Sequence, residues 1–305
     1  MQNWGTHLRI RSLGHLARLG LALALAVGTA GLGAAAAHAA QPITSGTMTI
    51  VGEPEDWLTG GRSYSFSTAE QASMHLLSDE AERHVRINVS SGQEWWSLDL
   101  AAPQGQKLVP GTYTDAARYP FNEPGKPGLS LGGRGGCNSL TGSFTVTNAV
   151  FGPYGYLETL DASFEQHCEG AVAAARGEVH IRNLPASPVL DLALGVAVDG
   201  TASALNGNAT VHGQVTCNKA VPVTVSGRIT QVKNNVIIRG GYHTTVPCTP
   251  GTPASWTGTA VPEGTTPFQR GRVEVIGYAG ATDPDYDEYT STTRTVAVQL
   301  TRVRG

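Results

Sequence analysis

Apolar and polar residues alternate one by one through HVRINVS (84–90), EWWSLDL (94–100), SFTVTNAV (143–150), PVTVSGRITQ (222–231) and RTVAVQL (294–300). A period of two sends successive side chains to opposite faces of a strand, so each run predicts a strand with one buried face. Long runs at helical spacing are missing from the sequence. Most of the 38 glycines lie between the alternating runs, where tight turns need them. The chain is therefore expected to be all-β. One stretch departs, TAEQASMHLLSDEAER (68–83). Thr68 and Gln71 have the spacing of a capping box, which suits a short helical turn; the alternative is a further strand over Ser73–Ser78.

Asn183-Leu184-Pro185-Ala186-Ser187-Pro188 divides the chain, because two prolines in four residues disfavour both helix and central strand. Aromatic residues also thin out after it, with 13 of the 19 that follow residue 39 lying before the linker. The reading is two antiparallel β-sandwich domains in tandem. Residues 40–184 form a first, jelly-roll-like sandwich of eight or nine short strands. Residues 185–188 are the linker, and residues 189–305 a second, immunoglobulin-like sandwich of about seven strands.

Residues 1–39 read as a signal peptide. Arg9, Arg11 and Arg18 precede LGLALALAVGTAGLG (19–33), an apolar run short of the ~20 residues that span a bilayer. Ala37-His38-Ala39 then offers small residues where a signal peptidase reads, placing cleavage before Ala40. No twin-arginine pair is present, which favours Sec export. No cysteine precedes Cys137 and no second hydrophobic run follows, so a secreted, soluble chain without membrane anchor is expected. Its charge would be −6, from 18 Lys and Arg against 24 Asp and Glu. Residues 40–184 carry 9 basic and 16 acidic residues, and residues 185–305 carry 9 and 8. That balance does not suit a nucleic-acid partner.

The four cysteines, Cys137, Cys168, Cys217 and Cys248, fall two to each half, 31 residues apart both times. In an exported chain, one disulfide per domain is the preferred of the three pairings. In the second half, alternation pairs Ile229 with Ile238, Gly227 with Gly240 and Val225 with Tyr242, around a Lys233-Asn234 turn. Extended, that ladder brings Cys217 almost opposite Cys248, stapling the open end of a hairpin. In the first half, the midpoint of the cysteines falls in FGPYGY (151–156). Setting Phe144 and Val146 opposite Leu160 and Ala162 conflicts with the cysteine spacing by one residue, so a bulge or a diagonal bridge is expected. Each bridge closes a loop of roughly 30 residues, worth about 3–4 kcal/mol in the chain-entropy picture.

This pairing bears on FEQHCEG (164–170), where a thiol, an imidazole and two carboxylates suggest chemistry. An oxidised Cys168 cannot serve as a thiolate, and no close second ligand pair accompanies His167, so the segment reads as structural. GLSLG (128–132) matches the nucleophile-elbow pattern, yet a glycine run and a strand follow it where a helix is needed. Asp283, Asp285 and Asp287 alternate as at the start of a calcium loop. Glu288 and Arg294 stand where such a loop needs Gly and Glu, leaving a weak calcium candidate beside the reading of a solvated acidic turn. No other metal site and no cofactor are expected.

The hairpin His84–Leu100 carries the main surface candidate. With Ser91-Gly92 as its turn, Ile87 pairs with Trp96 and Val85 with Leu98 on the core side. The opposite face then presents His84, Arg86, Asn88, Trp95, Ser97 and Asp99. A tryptophan beside amide, guanidinium and carboxylate groups suits a sugar ring, whose flat face stacks while its hydroxyls are hydrogen-bonded. The alternative is that Trp95 packs under the Glu53–Gly60 loop or against Trp57.

WWSLDLAAPQGQKLVPGTYTDAARYPFN (95–122) and GGCNSLTGSFTVTNAVFGPYGYLETLDASFEQHCEG (135–170) resemble a module of uncharacterised secreted proteins of actinobacteria. TVHGQVTCNKAVPVTVSG (210–227) and TTPFQRGRVEV (265–275) are similar to a second such domain. The resemblance covers nearly all of the chain after the leader. It implies export and a β-rich fold and brings no activity or catalytic residue. HLLSDEAERHV (75–85) is more charged than the module leads one to expect.

Together these features lead us to expect a secreted, non-enzymatic protein that binds a surface, a glycan or a cell-envelope polymer. The enzyme alternative is a polysaccharide hydrolase pairing Asp99 with Glu94, Asp161 or Glu165, since glycosidases use two carboxylates about 5–10 Å apart. A scaffold with protein partners alone is the third reading.

Overall fold

The computed structural model describes residues 41–133 and 135–304; the expected signal peptide lies outside them. Nearly all regular structure is strand. In chain order the first eleven strands are β1 (Gln41–Pro42), β2 (Ser45–Gly52), β3 (Ser63–Ser67), β4 (Ser73–Ser78), β5 (His84–Ser91), β6 (Glu94–Ala101), β7 (Gly111–Arg118), β8 (Gly128–Gly132), β9 (Leu140–Phe151), β10 (Leu157–Cys168) and β11 (Ala175–Arg182). They form one sheet in the order β1-β4-β5-β6-β8-β7-β9-β10-β11-β2-β3, so the expected eight or nine strands are in fact eleven. Strand β7 joins two groups, pairing in parallel with β8 through Ala117 and Arg118 and antiparallel with β9 through Gly111–Ala116.

The remaining strands are β12 (Leu192–Ser203), β13 (Ala209–Cys217), β14 (Val221–Lys233), β15 (Val236–Cys248), β16 (Ala254–Ala260), β17 (Gly271–Thr282) and β18 (Tyr289–Val303). They form a second sheet in the order β15-β14-β17-β18-β12-β13-β16, with β12 and β18 parallel. Each sheet has its own apolar core. One is built from residues 43–181 around Trp96, Phe144 and Leu100, the other from residues 190–300 around Trp256, Val223 and Val298. Thr68–Glu70 makes a single 3₁₀ turn before β4. Its cap is Ser67, which accepts from the Ala69 amide, rather than Thr68.

Both cysteine pairs are at disulfide distance, Cys137–Cys168 with Cα atoms 5.2 Å apart and Cys217–Cys248 at 6.2 Å. The ladders around them differ from the expected registers. Strands β14 and β15 turn at Asn234-Asn235, both at positive φ, so Gly227 faces Tyr242 and Ile229 faces Gly240. The reason is steric. A Cβ on residue 227 would lie 2.5 Å from the Tyr242 hydroxyl, so that ring fits only over glycine. Cys248 pairs with Val221 and Cys217 with Leu192, so the second bridge ties the end of β13 to β15 instead of stapling one hairpin.

Phe144 faces Phe164 and Val146 faces Ala162, two residues from the expected partners, and bulges follow at Asp161/Ala162 and Leu157/Thr159. Strands β5 and β6 turn at Gly92-Gln93, with Gly92 at φ +61 as a type II′ turn requires. Val85, Ile87 and Val89 therefore face Leu100, Leu98 and Trp96. In all three hairpins the inward faces are as expected and the turn sits one residue further along.

Candidate functional site

The outer face of β4, β5, β6 and β8 gathers the residues singled out on His84–Leu100. Cross-strand pairing sets Ser90 beside Trp95, Asn88 beside Ser97 and Arg86 beside Asp99. Because Val85, Ile87, Val89, Trp96, Leu98 and Leu100 fill the core, the alternate positions must face outward. Trp95 is 57 % exposed, so neither the Glu53–Gly60 loop nor Trp57 covers it. Asn88 and Ser97 are half-buried beside it, and Gly132 of β8 pairs with Ser97.

Towards the other end of the face, Asp99 is buried. Its Oδ1 accepts from Arg86 Nε at 2.7 Å and lies 2.8 Å from His84 Nε2, and Oδ2 takes Arg86 Nη2 at 3.2 Å. The hydrogen bonds to Asp99 outweigh burial and raise the Arg86 guanidinium above its ordinary value. Tyr119 covers this cluster, its ring stacked on His84 with centroids 4.2 Å apart. Burial first, then the Asp99 charge, pushes its phenol up. Alternation could not find Tyr119, since it lies in the loop after β7. The six candidates therefore split. Trp95, Asn88 and Ser97 form an open half of the face, whereas His84, Arg86 and Asp99 form a saturated cluster.

The other carboxylates proposed for catalysis are also engaged. Asp161 on β10 binds His180 Nδ1 at 2.8 Å and Arg182 Nη2 at 2.7 Å. Burial opposes its ionisation, but these two hydrogen bonds prevail and hold it below the ordinary carboxylate range. Glu165 binds His167 at 2.9 Å and Arg176 at 2.7 Å, which hold it down likewise. Three strands, β8, β7 and β9, separate Asp99 on β6 from both. Glu94 closes the β5–β6 turn opposite Ser91.

In FEQHCEG, Cys168 is buried and His167 half-exposed on the other face. The residue there that sequence reasoning passed over is Gln166, which is fully buried. It holds Leu131 of β8 by both amide groups, at 2.7 and 3.1 Å. GLSLG is the whole of β8, with Ser130 in mid-strand and paired to Asp99, so no elbow forms. The acidic turn is not solvated as expected at its first residue: Asp283 is 1 % exposed. Its Oδ1 takes Lys219 Nζ at 2.6 Å, and Asp285 takes the same ammonium at 2.8 Å. The calcium candidates Asp283 and Asp285 thus converge on a lysine. No group of three or more His, Cys, Asp and Glu suited to a metal occurs among the described residues.

No protein-family model matches the chain, and no curated protein is significantly similar to it. No helix among the described residues is long and apolar enough to cross a membrane.

Proposed function

We propose that this is an exported, non-enzymatic protein of two β-sandwich domains, jelly-roll-like then immunoglobulin-like, that binds a glycan or cell-envelope polymer. The leader sequence and two disulfide-distance cysteine pairs support export. Support for the first sandwich comes from β7, which joins two strand groups around one core. For the second, it comes from the order β15-β14-β17-β18 followed by β12-β13-β16 across a parallel step.

The observation that carries the binding reading is Trp95. A large apolar ring 57 % in solvent, flanked by Asn88 and Ser97, has the form of a stacking platform with hydroxyl-binding neighbours. The saturated Asp99 cluster then acts as the support that fixes β5 against β6.

The test mixes protein of residues 40–305 with insoluble polysaccharides and purified cell-wall sacculi, measuring depletion and soluble sugar release in the same tubes. Depletion without sugar release is expected, abolished by Trp95→Ala at unchanged melting temperature. Sugar release would place the protein among the hydrolases, and absence of depletion on every polymer would remove the glycan reading.

A further inference from the structure

Away from the Trp95 face, one end of the seven-stranded sheet holds three cations that are paired with no acid among the described residues. Lys233 ends β14, Arg270 stands immediately before β17, and Arg302 lies at the end of β18. These strands are neighbours. Thr230 pairs with Glu274 and Gly271 with Leu300, so the three side chains leave adjacent strand ends. At about 4.8 Å per strand the row spans roughly 10 Å.

The row lines a cleft of about 840 Å³ whose other wall is the Ser203–Gly207 turn together with Pro267 and Phe268, and the lining contains no Asp or Glu. Arg270 and Arg302 are exposed and have no ion-pair or side-chain hydrogen-bond partner among the described residues, while Lys233 reaches only the Arg270 carbonyl, at 3.5 Å. Arg86, Arg176 and Arg182 of the other sheet, by contrast, each hold a carboxylate.

The cleft is also held in shape. Gln231, 1 % exposed, grips Gln269 through the amide N–H and carbonyl of that residue, both at 2.8 Å, just before Arg270. The Phe268 amide donates to Gly207 across the cleft floor at 3.0 Å. A fixed backbone sets where Arg270 begins, and Gly271, at φ +138, takes a conformation that other residues avoid.

We infer that this cleft is a second binding site, for a polymer chain bearing repeated oxyanions, either the carboxylates of a polyuronate or the phosphodiesters of a polyol phosphate. Guanidinium groups match both anions in two-pronged geometry, and Lys233 adds a point charge. The apolar wall of Pro267 and Phe268 suits the carbon skeleton between the charges. In a chain with an acid excess, three cations gathered on adjacent strand ends, in a cleft lined by no acid, present a local positive field to an anion. The site is independent of the Trp95 reading and lies in the other sheet.

The experiment measures binding of residues 40–305 to polygalacturonate and to inorganic polyphosphate at low and high salt. The variants are Arg270→Ala/Arg302→Ala, Arg270→Lys/Arg302→Lys and Trp95→Ala. The parent protein is expected to bind at least one probe and to release it as salt rises. The double alanine variant should bind roughly tenfold or more weakly at unchanged melting temperature, because neither arginine loses a protein partner. The double lysine variant should fall between, and Trp95→Ala should bind as the parent does. Whichever probe binds more tightly identifies carboxylate or phosphate as the natural anion. Equal binding by the double alanine variant, no binding to either probe, or tighter binding of single-stranded DNA than of both would overturn the assignment.

Discussion

Lys219 Nζ sits 2.6 Å from Asp283 Oδ1 and 2.8 Å from Asp285 Oδ2, with the lysine side chain 12 % and that of Asp283 1 % exposed. Asp283 Oδ2 also accepts from the Leu190 amide at 2.6 Å. One carboxylate thereby joins the start of the second core, the β13–β14 loop and the β17–β18 turn. Tyr286 on that turn lies under the same ammonium, donates to the Ser187 carbonyl and packs against Tyr154 and Tyr156 of the β9–β10 turn. The ion pair is the footing for the contact between the two sheets.

Lys219→Met should cost roughly 3 kcal/mol, the low end for a buried pair, because Asp283 keeps its backbone donors. Burial alone would raise Asp283, but hydrogen bonds from Lys219, Asp285 and Leu190 hold it below the ordinary range. Its contribution is therefore present above the unfolded value and lost as pH falls through the folded one. Burial opposes the charge on Lys219 as well, and the two aspartates overcome it and raise it. That contribution is present below the unfolded lysine value and lost as pH rises through the folded one. Urea melts across pH should thus show the variant with weakened acid and alkaline limbs. Limbs identical to those of the parent would remove the ion pair from the account.

Tyr242→Phe should leave stability unchanged or raise it by up to about 1 kcal/mol. The Tyr242 hydroxyl is buried between Gly227 and Gly277 with no hydrogen-bond partner among the described residues. Removing an unpaired polar atom relieves its desolvation. Burial alone pushes the phenol to about 12, so between the unfolded tyrosine value and about 12 ionisation favours the unfolded chain, and stability falls as pH rises through that window. The variant should melt with a shallower alkaline decline. A loss above 1 kcal/mol would mean that the hydroxyl has a partner.

How the fold could be read from the chain is clearest at Tyr242. Alternation set the inward face of β14 and β15 correctly, because a period of two determines parity. It cannot determine register, since a shift of two residues preserves every face. Register came from a contact that alternation does not encode, an aromatic ring requiring glycine opposite it. Gly92 and Asn234-Asn235 carry the same lesson, for their positive φ decides which residues turn. At the candidate site, the outward set on β5 and β6 was legible for the same reason. Tyr119 was not, because it arrives from a loop, and Arg270 and Arg302 were not, because 32 residues of sequence separate strand ends that lie side by side.

Gln166→Leu tests a buried polar pin. Gln166 is completely buried and satisfies both backbone groups of Leu131, linking β10 to β8 across the first core. Leucine would fill the space and leave an amide and a carbonyl unpaired, costing about 2–4 kcal/mol. Chemical denaturation should show that loss without change in slope. A loss below 1 kcal/mol would show that Leu131 finds other partners.

Asp99→Asn and Trp95→Ala separate support from site on the outer face. Asp99 is buried under Tyr119 and holds both His84 and Arg86, so the asparagine variant loses a charge that two donors share. The cost should be about 1–2 kcal/mol, reduced from a fully buried pair because the Arg86 side chain is 41 % exposed. Trp95 adds little to the core, and its alanine variant should stay within about 0.5 kcal/mol of the parent. If Trp95→Ala instead lowered the melting temperature by several degrees, the ring would be packing material and the stacking platform would have no basis. If it were neutral while polymer binding was lost, with Asp99→Asn weakening binding only in proportion to lost folded protein, the open half of the face would be the contact and Asp99 its support.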